Sequence, residues 1–167
     1  MDIDVVRGDI TRLDVDAVVN AANAGMRGGG GVDGAIHAAG GPDILRECVE
    51  RFPDGLATGD AGWTTAGELP AQYVIHVVGP NWRAGQTDPQ LLESCYHRAL
   101  EVADELGAAT IAFPLVSAGV YGWPLEDAAR IAAGTVRADL AAGNMSVTSA
   151  VFVAFGTEAY EALTAHL

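Results

Sequence analysis

The residues of this chain best spaced for chemistry are Asn23 and Asp33, one on each side of the run Gly28-Gly29-Gly30-Gly31. An asparagine side chain donates and accepts hydrogen bonds at once, which suits a sugar diol. A carboxylate can take a proton from a water or a hydroxyl. Each also has a plain structural reading. Asn23 could satisfy backbone groups at a strand end, and Asp33 could serve the first turn of a helix. The glycines between them let main chain approach a ligand without Cβ atoms in the way. A run of amide N–H groups opening onto a helix N-terminus binds anions without any side chain. His37 lies four residues after Asp33, on the same helix face, and reads as a hydrogen-bonding support or as a direct participant. The group points to a phosphate-bearing ligand with a reaction carried out beside it.

A second loop, Val116-Ser117-Ala118-Gly119-Val120-Tyr121-Gly122, has a related character. Ser117 lacks a GxSxG setting and an evident histidine partner, so it does not read as a nucleophile. Backbone donors facing the first loop across a diphosphate are the simpler reading. Phe155 reads either as core or as a face on which a base stacks. Asp9, after Gly8, reads as a turn or a cap. His76 alternates within an apolar strand and reads as structural, while His97 and His166 read as surface residues. Trp63, Trp82 and Trp123 read as core or loop anchors. Cys48 and Cys95 read as separate reduced thiols. Histidines and cysteines show no metal-ligand spacing, so no metal and no cofactor are expected.

The elements needed to position these residues are legible. Strands are expected at 3–6, 17–21, 61–65, 73–78, 110–113 and 147–155. Helices are expected at 32–39, 42–51, from Asp88-Pro89 to Gly107, from Pro124 to Gly143, and after Gly156-Thr157. Pro42 and Pro89 suit the first helical position, and Gly107 and Gly143 suit helix ends. Strands alternating with helices predict an α/β protein: a three-layer α/β/α sandwich around a central mixed, mainly parallel sheet. Ligands of such sheets bind beyond the carboxyl ends of strands. The loops after three strands, Asn23 to Asp33, Ser117 to Gly122 and Phe155-Gly156, are expected to share one crevice.

Composition narrows the partners. The chain has 167 residues, which suits one domain over 1–167, and half of them are apolar. Its net charge is −13, and all nine basic residues are arginines. The absence of lysine removes a Walker-type phosphate lysine and a Schiff-base lysine. The negative field disfavours nucleic acid. A phosphate-bearing ligand must then be held by backbone N–H groups and helix termini. No apolar run is long enough for a membrane span, and the first residues carry acids instead of a basic leader. The expectation is a cytoplasmic monomer without membrane or nucleic-acid partner.

Several segments together resemble the macrodomain family, most closely its MacroD-type branch. They are Gly8-Asp9-Ile10-Thr11, Val19-Asn20-Ala21-Ala22-Asn23, Gly28 through His37, Tyr73-Val74-Ile75-His76-Val77-Val78-Gly79-Pro80, and Phe113-Pro114 with Ser117 through Gly122. The resemblance covers nearly the whole chain. It implies ADP-ribose in one cleft: Asp9 on the adenine amino group, Ile10 and Phe155 against the adenine, and Ala22 within the same binding site. It further implies that Gly30, Gly31, Val32 and Asp33, with Ser117, Ala118, Gly119, Val120 and Tyr121, wrap the diphosphate and distal ribose. Asn23 and Asp33 match the branch's hydrolytic pair, supported by His37. The implied activity removes ADP-ribose from acidic side chains of proteins and deacetylates O-acetyl-ADP-ribose. A non-catalytic ADP-ribose reader is the alternative. Ala118, Trp123, Val77 and Ala38-Ala39 depart from the branch's usual residues, but the Asn23/Asp33 pair is intact.

Overall fold

The computed structural model describes residues 2–167. Six strands form one sheet: β1 (Asp2–Arg7), β2 (Ala17–Ala22), β3 (Ala61–Thr65), β4 (Tyr73–Val78), β5 (Thr110–Phe113) and β6 (Ser149–Ala154). Their spatial order is β1-β6-β5-β2-β4-β3. Every neighbouring pair is parallel except the antiparallel pair β3–β4 at one edge. Five helices connect and flank them: α1 (Gly31–Gly40), α2 (Pro42–Arg51), α3 (Pro89–Glu105), α4 (Leu125–Ala142) and α5 (Thr157–Ala165). The expected mixed, mainly parallel α/β/α sandwich is the fold observed.

The two faces of the sheet follow from strand periodicity. Val19, Ile75, Val77, Ile111, Phe113 and Phe152 face α3, α4 and α5, where Leu92, Leu100, Ile131 and Leu163 are buried. Phe113 and Phe152 stack at 5.5 Å, and the ring of Tyr96 from α3 lies 5.5 Å from that of Phe113. Val18, Ala22, Val74, Val78, Ala112 and Val153 face α1 and α2, where Ile36, Ile44 and Cys48 close the second core. Asn20 shares this face with Val18 and Ala22, and His76 shares it with Val74 and Val78. Asn20 and His76 are register partners across β2 and β4. A polar pair is thus buried inside a mainly apolar layer, under α1.

Helix boundaries fall where the sequence places them. Pro42 and Pro89 open α2 and α3, and Asp88 caps α3 by accepting from the Gln90 N–H. Gly143 ends α4 with a left-handed φ of 70°. Two short 3-10 turns, Ile10–Arg12 and Trp82–Ala84, stand where only loop was expected. The last strand ends at Ala154 and not at Phe155. Among the described residues, no helix is long and apolar enough to cross a membrane.

Candidate functional site

A cavity of about 1150 Å³ lies at the carboxyl ends of the parallel strands. It is bounded by Gly8 and Asp9 after β1, Asn23 after β2, Gly79 after β4, Pro114 to Tyr121 after β5, and Phe155 and Gly156 after β6. Gly29 to Asp33 form one wall, and Leu125, Glu158 and Ala159 add the starts of α4 and α5. Sequence reasoning placed three strand ends here, and the structure brings five. Asp9, Ile10, Ala22, Asn23, Gly30, Gly31, Val32, Asp33, Ser117 to Tyr121 and Phe155 all line the cavity. His37 does not; it stands behind Asp33.

The glycine loop divides its work. Gly28 and Gly31 hold φ of 90° and 59°, the left-handed region that other residues enter at a cost. Gly29 instead lies in a tight approach: a Cβ there would sit 3.2 Å from both Asn23 Nδ2 and Asp33 Oδ2. The two polar side chains thus converge on one point of the backbone. Gly30 precedes α1, so the N–H groups of Gly31, Val32 and Asp33 find no partner within the helix and are open to an anion. Arg27 pins the loop from behind, its guanidinium donating to the carbonyls of Met26, Phe52 and Pro53 at 3.0–3.1 Å.

Asn23 donates from Nδ2 to the Gly28 carbonyl at 3.0 Å. That fixes the side chain and leaves its second amide hydrogen and Oδ1 for a ligand. Asp33 is only 4% exposed. Its Oδ1 accepts from Asn20 Nδ2 at 2.8 Å and lies 3.2 Å from His37 Nε2. Its Oδ2 faces Gly29. Asp9 accepts from the Thr11 N–H at 2.9 Å and the Thr11 hydroxyl at 2.6 Å, and these bonds hold its carboxyl below the usual carboxylate range. Its capping role is therefore real, and Oδ2 remains at the cavity edge beside Arg12.

The second loop is strained where it turns. Ser117 sits at φ 67° although it carries a side chain. Its Oγ is buried without a partner. Tyr96 Oη accepts from the Val116 N–H at 3.0 Å, and the Trp123 N–H donates to the Ser117 carbonyl at 3.1 Å. Phe155 is 98% exposed and stands at the rim. The core reading of Phe155 is thereby overturned, because its strand ends one residue before it. Trp123 is buried edge-to-face with Trp82 at 5.0 Å, as a loop anchor should be.

Among the lining residues the only charged side chains are Asp9, Asp33 and Glu158, all acidic. An anionic ligand would be held by main chain alone. Sequence reasoning left out Gly79, Asn20 and Thr64. Gly79 lies against Ser117, and a Cβ there would be 2.3 Å from Ser117 Oγ. Asn20 was visible as a polar residue in an apolar strand, but not the neighbours it meets. Among the described residues, no group of three or more His, Cys, Asp or Glu is placed to hold a metal ion.

Comparison with known proteins agrees with this architecture. Residues 19–132 match the model of a family described as Macro domain. A macro domain-containing protein of Streptomyces coelicolor is 55% identical over 169 aligned positions, covering 99% of this chain and 98% of that protein. A Pantoea vagans protein named O-acetyl-ADP-ribose deacetylase 1 is 46% identical, covering 95% of this chain and 94% of its own length. A Trypanosoma brucei macrodomain solved in complex with ADP-ribose superposes with a TM-score of 0.90 at 43% identity, over 96% of this chain and 67% of that one.

Proposed function

The chain belongs to the Macro domain family, and on that premise we propose that it binds ADP-ribose and hydrolyses esters of it. The substrates are ADP-ribose on acidic protein side chains and O-acetyl-ADP-ribose, and residues 1–167 act as one domain. Support comes from the ligand of the Trypanosoma brucei structure and the name of the Pantoea vagans relative. The observation that carries the hydrolytic reading is the convergence of Asn23 Nδ2 and Asp33 Oδ2 on Gly29.

In this reading the adenine lies between Ile10 and Phe155, with Asp9 Oδ2 near its amino group. The diphosphate crosses the open N–H groups at the start of α1 and those of the second loop. Backbone donors suit this task, since the cavity offers no cationic side chain. The distal ribose then reaches Asn23, whose free amide hydrogen and Oδ1 match a diol. Asp33 Oδ2 orients a water toward the ester. The water oxygen adds to the carbon that bears the leaving oxygen, and the C–O bond breaks. The water proton passes by way of Asp33 or a ligand phosphate to the departing oxygen. Ester and water thus yield a carboxylic acid and a hydroxyl. Asp33 serves chiefly by position, held by Asn20 on one side and His37 on the other.

The burial of Asp33 and its two neighbours would equally suit a structural anchor, which is the reader alternative. Both are separated by measuring ADP-ribose release from glutamate-modified protein and acetate release from O-acetyl-ADP-ribose, alongside calorimetric binding of ADP-ribose. Replacing Asp33 by Ala is expected to lower kcat by about 100-fold or more, with binding retained. A wild type that binds ADP-ribose yet turns over neither ester is a reader.

A further inference from the structure

Beneath Asp33 runs a line of buried polar side chains that the proposed chemistry does not itself use. Asn20 on β2, His76 on β4 and Thr64 on β3 lie on the same sheet face, and each is 0% exposed. Asn20 Nδ2 donates to Asp33 Oδ1 at 2.8 Å and lies 3.0 Å from His76 Nδ1. His76 Nε2 lies 3.0 Å from Thr64 Oγ1, and Thr64 donates its own hydroxyl hydrogen to the Thr65 carbonyl at 2.9 Å. Cys48 Sγ stands farther off, at 3.8 Å from His76 Nε2.

The hydrogens in this line can be assigned. Asn20 Nδ2 carries two, and both neighbours must accept them. Asp33 Oδ1 is one acceptor, so His76 Nδ1 must be the other, as a bare lone pair. The ring proton then sits on Nε2 and goes to Thr64 Oγ1, whose own hydrogen is already committed. Turning the Asn20 amide over would put Oδ1 2.8 Å from Asp33 Oδ1, two oxygens with no proton between them. The present orientation leaves Asn20 Oδ1 buried and unpartnered. A buried amide that gives up one acceptor to satisfy two others is fixed by those two.

We propose that His76 is a positioning residue for Asp33: its unprotonated Nδ1, set by Thr64 across the ring, locks the Asn20 amide so that it holds Asp33 Oδ1 and leaves Oδ2 to the cavity. A histidine protonated at Nδ1 would oppose an N–H to an N–H and release the amide. Burial, with His37 nearby, lowers the His76 pKa to about 3 and so keeps the ring neutral, as the line requires. The orientation of Asp33 is therefore decided on β4 and β3, one and two strands beyond the β2 strand that leads into its loop and helix. The inference rests on the hydrolase reading for its consequence in catalysis, but its geometry can be tested without turnover.

The experiment compares wild type with His76→Leu, His76→Asn and Thr64→Val. Long-range 1H–15N NMR reads the His76 tautomer, and a 13C spectrum reads the Asp33 carboxyl. Calorimetry gives the ADP-ribose Kd, and O-acetyl-ADP-ribose hydrolysis gives kcat and KM. The wild type should show the Nε2–H tautomer. His76→Leu should lower kcat by about 10- to 100-fold, the scale of a misplaced catalytic group, with Kd and KM little changed. His76→Asn, whose Oδ1 can replace the Nδ1 acceptor, should recover most of that loss. Thr64→Val keeps the shape of the site and should shift the tautomer toward Nδ1–H with a smaller drop in kcat, which also covers failure of His76→Leu to fold. An Nδ1–H tautomer in the wild type, or equal kcat losses in His76→Leu and His76→Asn, would overturn the proposal. If the wild type turns over no ester, the hydrolase reading fails alone. The Asp33 carboxyl resonance then decides: movement in His76→Leu or Thr64→Val upholds the proposal, and constancy overturns it.

Discussion

The two loops that frame the cavity are built on opposite plans. The loop from Asn23 to Asp33 commits its side chains: Asn23 to Gly28, Arg27 to the carbonyls of Phe52 and Pro53, and Asp33 to Asn20. Even Met26, at φ 58°, is buried and backed by Arg27 bonding its carbonyl. The loop from Ser117 to Gly122 presents Val120 at 78% exposure, an unpaired Ser117 hydroxyl and a strained Ser117 backbone. It is tied near its ends, by Tyr96, the Trp123 backbone and the Arg83 backbone, through main-chain groups and not through its own side chains. In the proposed reading a reacting water needs a fixed partner, whereas a diphosphate needs donors that can settle around it, so side-chain wiring would serve the first task and adaptable main chain the second.

The comparison breaks most readily at the floor of the first loop. His76 has a folded pKa near 3 against an ordinary 6.5. Between those values the unfolded chain takes up a proton that the folded chain refuses, so stability present above pH 6.5 is lost as pH falls toward 3. His37, Asp33 and Cys48 are the titratable groups around the ring. Chemical denaturation at stepped pH should show wild-type stability falling more steeply than that of His76→Leu, by a slope approaching about 1.4 kcal/mol per pH unit. Parallel curves would remove the distinction between a wired floor and a free rim.

At the second loop the expected effects are smaller and of another kind. Gly79→Ala would place a Cβ 2.3 Å from Ser117 Oγ and 2.7 Å from Val116 Cγ1. It should destabilise the protein by about 1–3 kcal/mol and weaken ADP-ribose binding while the Asp33 carboxyl resonance stays put. A moved Asp33 signal would show that the loops are one mechanical unit. Ser117→Ala removes a buried hydroxyl with no partner. Its melting temperature should be equal to or slightly above wild type, by up to about 1 kcal/mol in stability; a clear loss would reveal a bond to water at Oγ.

What could be read from sequence was what is local. The glycine run, Asn23, Asp33 and His37 fall within fifteen residues, and their spacing alone places them at a strand end and a helix start. Helix boundaries were legible because Pro42, Pro89, Gly107 and Gly143 act on their own turns. The contacts that give those residues their setting are between distant segments. Asn20 meets His76 through the β2–β4 register, and Thr64 reaches the same ring because β3 runs antiparallel at the edge. Reading His76 as structural was right about its burial but silent on its partner. Gly79 shows the same limit: it marks a strand end in sequence, while its closeness to Ser117 arises only when β4 and β5 flank β2. Phe155 stayed open between core and a base-stacking face, because an aromatic after an apolar strand resembles core until the strand is seen to stop at Ala154.

The Trp82–Trp123 pair carries a consequence for observation. The two indoles meet at 69° and 5.0 Å, close enough for their excited states to couple. Both residues are fastened to the second loop through main chain: the Trp123 backbone N–H donates to the Ser117 carbonyl, and the backbone N–H of Arg83, next to Trp82, donates to that of Tyr121. The third tryptophan, Trp63, lies away on β3 under the Arg51 guanidinium. Any shift of the second loop around a diphosphate changes the angle between two coupled chromophores. The protein thus contains its own optical gauge of ligand entry, readable in near-ultraviolet circular dichroism without a label.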